Sequence, residues 1–184
     1  KDEFKKEGFD ISQFEPIKKY LGVRWEITKD IFKFDQEEYI EQLLTNAGMQ
    51  DCKPISTPMT KDRPSNKDTP QGKLDAIDYK LSTNEISVSN AAKEKKKIKE
   101  ERKYMSDLQK EKYGYRSVVG ALSHLARRAR PEIQFSTFYH SRYQNDPGLT
   151  HWKSLKRILR YLQLTKHKCC KADKSRPLLE IYVD

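Results

Sequence analysis

Residues 115–165 read YRSVVGALSHLARRARPEIQFSTFYHSRYQNDPGLTHWKSLKRILRYLQLT, and this stretch decides the fold. Tyr115, Val118, Val119, Leu122, Leu125, Ala126 and Ala129 recur at helical spacing, so the segment opens with an amphipathic helix. Arg127, Arg128 and Arg130 crowd its end, where positive charge complements the helix dipole. Pro131 suits the first position of a second helix, whose apolar side is expected to include Phe135, Phe138 and Tyr139. Asn145, Asp146, Pro147 and Gly148 mark a turn, and Thr150 is the expected cap of a third helix. In that helix Trp152, Leu155, Ile158, Leu159 and Leu162 form an apolar stripe. Lys153, Lys156, Arg157 and Arg160 fall at i, i+3, i+4 and i+7 on the opposite face, with no acid between them. Such a ridge can follow a phosphate backbone and gain affinity by releasing counterions. A merely solvated helix face is the plain alternative. The neighbouring Arg127, Arg128 and Arg130 tip the balance toward nucleic acid.

Upstream, Tyr20 to Phe34 predicts a β-hairpin. Leu21, Val23, Trp25 and Ile27 alternate with Gly22, Arg24 and Glu26, the turn falls at Thr28–Asp30, and Ile31, Phe32 and Phe34 return. Gly22 within a strand suggests a bulge or a close backbone approach. Asp35 with Glu38 reads as a capping box opening a helix. Tyr39, Ile40, Leu43, Leu44 and Ala47 would pack on the hairpin, and Gly48 fits the helix end. Two prolines make residues 51–59 extended. Residues 60–112 are dominated by Lys, Asp, Glu, Ser, Asn and Thr, without a wide apolar stripe. They read as a disordered insert with transient helix. Its Lys95–Lys97 run reads as solvated charge. Before the hairpin, Phe4, Phe9, Ile11 and Phe14 suggest an anchoring element. At the other end Leu178–Asp184 alternates as a lone strand, which requires a sheet beyond it. Both ends therefore look cut from a longer polypeptide.

The expected class is α+β: a hairpin and helix, a disordered insert, a small helical block and a lone C-terminal strand. With 184 residues, 35% hydrophobic and 35% charged, the chain is lean for a fully packed domain. A net charge of +10 favours an anionic partner. Three cysteines, two of them adjacent, do not make a disulfide framework, and suit a reducing compartment. No apolar run approaches the roughly 20 residues that span a bilayer, so no membrane partner is expected. No phosphate loop, G-x-S-x-G or H-E-x-x-H motif is present. His167 with Cys169 and Cys170 is a poor zinc set, because adjacent cysteines rarely chelate together. His124, His140 and His151 sit on helix patterns and read as packed or solvated.

Five blocks in order carry a family resemblance. They are FDISQFEPIKKYLGVRWEI, FDQEEYIEQLLTNAGMQDCKPISTPM, YRSVVGALSHLARRARPEI, HWKSLKRILRYLQLT and LLEIYVD. Together they resemble the C-terminal part of a copia-type retrotransposon reverse transcriptase. The departures are Glu132 for Asp, Leu164 for Gly, Phe14–Glu15 for Leu-Gly, and a segment between Met59 and Tyr115 longer and more charged than the family's. The resemblance implies that residues 1–59 end the polymerase palm, with Leu21, Gly22, Val23, Arg24 and Trp25 in a primer-grip-like hairpin. Residues 60–112 are then an insertion, 113–168 a thumb and connection, and 169–184 a linker and the start of ribonuclease H. Asp184 would be the first metal-binding, catalytic acid of that last domain. The implied parent is an RNA-directed DNA polymerase using Mg2+, working inside the cell, in the cytoplasm or in a virus-like particle, with the nucleus as alternative. Its partners are a template–primer of RNA or DNA and the rest of the polyprotein. The polymerase's Asp-Asp turn would lie before Lys1, so this piece is expected to be inactive alone and to need no cofactor. The competing expectation is a non-catalytic basic nucleic-acid-binding module or a decayed transposon-derived protein.

Overall fold

The computed structural model describes residues 18–20, 22–29 and 31–173, with Ala172 and Asp173 described by backbone alone. The expected anchoring element before Lys18, Leu21 of the hairpin, and the strand Leu178–Asp184 with Asp184 lie outside the described residues.

Four short strands form one antiparallel sheet in the order β1 (Lys19–Tyr20), β2 (Val23–Ile27), β3 (Ile31–Asp35) and β4 (Cys170–Asp173). The predicted hairpin is β2–β3. Its two faces separate by chemistry, as alternation requires. Trp25 stands opposite Phe34, with ring centroids 5.3 Å apart. On the other face Arg24 pairs with Asp35 at 3.1 Å and Glu26 with Lys33 at 3.2 Å, each pair directly opposite in the register. Gly22, with φ +78°, lies in the tight turn between β1 and β2 rather than inside a strand. β4 is a correction. Cys170 and Ala172 alternate with Lys171 and Asp173, but a run of four residues after a Lys- and Cys-containing stretch reads as a connection; it nonetheless pairs with β3 from Ile31 to Phe34. The free edge of β3 supplies the backbone partners that let so short a run form a strand.

Helix α1 (Glu37–Asn46) begins one residue later than the capping box requires. Asp35 stays in β3, where its carboxylate accepts from the Glu37 N–H and from Arg24, while Glu38 pairs with Lys19. Gly48, at φ +62°, closes the helix, with the Met49 N–H donating to Leu44 O at 2.7 Å. The apolar stripe of α1 does not pack on the hairpin as expected. Ile40, Leu43 and Leu44 enter the main core with residues of the 115–165 block. The block offers far more apolar surface than one half-buried sheet face, and burial follows area.

Two helices, α2 (Pro70–Ser82) and α3 (Val88–Lys110), occupy the stretch expected to be disordered. Thr69 accepts from the Gly72 N–H at 3.0 Å and caps α2, and Ser87 caps α3. Asn84, at φ +57°, ends α2 with the Glu85 N–H on Lys80 O. Ile77, Ala91 and Ile98 make a small core between the two helices, and Met105 reaches the main core. Ala91, Ile98 and Met105 recur every seven residues, a stripe one residue wide. That stripe suffices because polar docking completes it. Glu101 of α3 accepts from the Leu149 N–H at 2.8 Å and pairs with Lys73 of α2 at 2.7 Å. Asp146 accepts from the Gln71 N–H and pairs with Arg102. The approach is so close that a Cβ at Gly148 would meet Asp68 O at 2.2 Å. Glu101→Ala is expected to cost about 2 kcal/mol, because it uncaps a helix N–H and strands Lys73. Amide exchange in residues 88–110 should accelerate in that variant; unchanged protection would mean the hairpin does not dock through Glu101.

The 115–165 block contains α4 (Tyr115–Arg128), a short 3-10 turn opened by Pro131, α5 (Gln134–Ser141) and α6 (Leu149–Thr165). The predicted stripe of α6 is buried throughout. Helix α6 starts at Leu149, with Gly148 before it, so Thr150 is not its cap. Helix α5 presents the opposite face from the one expected. Ser136, Thr137 and His140 are buried, while Phe135 and Phe138 face outward. The polar residues go inside because each is satisfied there. Thr137 donates to Ile133 O, and His140 meets the Tyr115 hydroxyl at 3.0 Å and the Ser154 hydroxyl at 3.1 Å. Among the described residues no helix is long and apolar enough to cross a membrane.

Candidate nucleic-acid interface

The basic face of α6 lies against the extended segment that follows α1. Arg160 Nε donates to Lys53 O at 2.6 Å. Arg157 donates to Thr57 O at 3.1 Å and to the Thr57 hydroxyl at 2.7 Å. Gln163 donates to Gln50 O at 2.7 Å. These partners are neutral, so the bonds fix both guanidinium groups without cancelling their charge. A guanidinium has five N–H donors, and several remain for an anion. Lys153 is exposed, and the Lys156 ammonium sits 5.0 Å from the Trp152 ring centroid. None of the four makes an ion pair among the described residues.

Lys153, Arg157 and Arg160 line a cleft of about 430 Å3 together with Arg63, Thr60, Ser154, Asp62 and Asp68. Four cations against two carboxylates leave it positive. Arg63 is absent from the sequence-based set because it comes from the region read as disordered.

The other expected contacts fall elsewhere. Arg127 and Arg128 are exposed at the end of α4 and line a separate cleft with Gly120, Ser123 and His124. Arg130 is a correction: it is 1% exposed and cannot lie on a binding surface in this fold. Its guanidinium donates to Glu132 at 2.7 Å, to Thr165 O at 3.1 Å and to the Thr165 hydroxyl at 2.5 Å. It closes the last turn of α6 instead, where free carbonyls attract a cation. In the hairpin, Val23 is buried, Arg24 is held by Asp35 and Glu37, and Trp25 packs on Phe34.

Metal chemistry finds no ligand set in this region. No group of three or more His, Cys, Asp or Glu side chains among the described residues is arranged to hold a metal ion. His167 pairs with Glu37, Cys169 is exposed, and the half-buried Cys170 thiol donates to Ala129 O. Burial raises the Cys170 thiol above its ordinary pKa, which keeps it protonated. His140 is pushed down to about 4 by burial, so its imidazole is neutral at pH 7, and burial also lowers His151.

Comparison with known proteins bears on this arrangement. The chain is 29% identical over 179 residues to the retrovirus-related Pol polyprotein from transposon TNT 1-94 of Nicotiana tabacum, covering 96% of this chain and 11% of that protein. Several of its homologues are transposon Pol polyproteins. An uncharacterized mitochondrial protein of Arabidopsis thaliana is 30% identical over 157 residues, covering 85% of this chain and 50% of that one. The Pol polyprotein from transposon RE2 of the same plant is 25% identical over 154 residues, covering 84% of this chain and 8% of that protein. The Pol-like chain thus spans half or less of each of these relatives. No protein-family model matches it, and no solved structure does. These relationships support a retrotransposon polyprotein fragment.

Proposed function

We propose that this chain is the palm edge, thumb and connection of a copia-type reverse transcriptase, and that it positions the template–primer duplex by its phosphates. The observation that carries this reading is the basic face of α6, with Lys153, Arg157 and Arg160 lining one net-positive cleft beside Arg63. A rigid helix presenting cations at successive turns suits a duplex backbone, whose charges repeat regularly. The chemistry of nucleotide addition belongs to other parts of the polyprotein. No carboxylate cluster that could hold the parent enzyme's Mg2+ is found among the described residues.

A salt titration of duplex binding by the purified chain tests the reading. Affinity should fall steeply as salt rises. Lys153→Gln with Lys156→Gln should weaken binding to every sequence alike, and reduce the slope of log K against log salt by about 0.9 per lost phosphate contact. Lys153 holds no bond and Lys156 only its contact with the Trp152 ring, so stability should fall by no more than about 1 kcal/mol. A slope unchanged in the double variant removes the α6 face from duplex binding. Arg157→Gln and Arg160→Gln are less clean, because they also release the segment from Lys53 to Thr57.

A further inference from the structure

The outward face of α5 is left unused by duplex binding. Phe135 is 61% exposed and Phe138 38% exposed. A guanidinium lies over each ring. The Arg63 guanidinium carbon lies 5.2 Å from the Phe135 ring centroid and 5.8 Å from that of Tyr139. Arg127 lies 5.9 Å from the Phe138 centroid, and Arg142 lies 4.3 Å from the Tyr139 centroid. None of these three arginines has a carboxylate partner among the described residues. Arg63 also lines the α6 cleft, so the aromatic patch adjoins the cations already assigned to phosphates.

Exposed rings alone would suit many apolar partners. Their arginine border narrows the choice, because an occupant must offer both flat π faces and negative charge. Single-stranded nucleic acid offers both in every nucleotide: a base to stack and a phosphate to pair. We propose that Phe135 and Phe138, bordered by Arg63, Arg127 and Arg142, form a stacking platform for unpaired bases where a duplex held by α6 ends. The location rests on the duplex reading of α6. The platform's chemistry stands on its own residues.

The test uses the full 184-residue chain and two probes, a blunt duplex and the same duplex with a single-stranded extension of about five nucleotides. A 2-aminopurine in the extension reports stacking. The wild-type chain should bind the extended probe about tenfold more tightly than the blunt one and quench the 2-aminopurine. Phe135→Ala with Phe138→Ala should abolish both the gain and the quench, with blunt-duplex affinity and circular dichroism unchanged. An extension that adds nothing in the wild type, or a gain that survives the double substitution, overturns the platform. If the blunt duplex fails to bind while a free single strand binds through Phe135 and Phe138, the duplex reading falls and the platform stands. If the double variant only converts a self-associated chain to monomer, the face belongs to a second copy and the proposal is wrong.

Discussion

Arg130→Met should lower the unfolding free energy by about 3 kcal/mol while leaving nucleic-acid affinity unchanged. The guanidinium holds three hydrogen bonds, two of them to Thr165 at the end of α6. Methionine fills much of the same space and makes none of them. The Thr165 carbonyl then lies buried without this donor, and Glu132, which is 37% exposed, turns to water. Arg130→Lys should recover only part of the loss, because an ammonium cannot reproduce the planar fork. Urea unfolding measures the first effect and duplex binding well below the midpoint measures the second. A methionine variant as stable as wild type would show that the Thr165 contacts are dispensable. A variant that folds normally but binds poorly would return Arg130 to the surface role its sequence context suggests.

Acid should unfold the protein ahead of its carboxylates' own demands, through His140. Burial lowers this imidazole from 6.5 to about 4, and a nearby His151 pushes the same way. Tyr115 faces one ring nitrogen and Ser154 the other, with the Tyr139 ring edge-on at 5.9 Å. The unfolded chain therefore takes up a proton before the folded one does. The stabilisation is fully present above about pH 6.5 and is lost as pH falls toward 4, a difference of about 3 kcal/mol. Burial lowers His151 as well, which adds to the loss in the same direction. Unfolding measured at a series of pH values should trace this limb, and His140→Gln should flatten it at some cost in stability near neutrality. An NMR titration placing the His140 imidazole near 6.5 in the folded protein would sink the account.

Much of the local structure was legible because it rests on periodicity. The α6 stripe, the alternation of Val23 and Trp25, and the glycine closing α1 are short-range signals, and each is where the pattern puts it. The α2–α3 hairpin was missed although Thr69, Pro70, Ser87 and Asn84 carry its boundaries. Composition outweighed caps there, since a seven-residue repeat of Ala91, Ile98 and Met105 is too narrow to fold alone. It becomes sufficient only when Glu101 and Asp146 bind it to the block. The orientation of α5 was missed for a related reason. Hydrophobicity assigns Phe135 and Phe138 to the interior, whereas the partners available to His140 and Thr137 reverse the choice.

The candidate interface divides along the same line. The sequence by itself determined that α6 has a basic face, because the angles between Lys153, Lys156, Arg157 and Arg160 are properties of any helix. It also determined the mixed class and the likeness to transposon Pol sequence. Only the tertiary structure decided which cations remain on the surface. It buried Arg130, placed Arg127 and Arg128 apart, tied Arg157 and Arg160 to neutral carbonyls, and brought Arg63 into the cleft from about ninety residues away. A charge's place in sequence fixes its sign and its helix face; its neighbours in space fix whether that charge is free to meet a ligand.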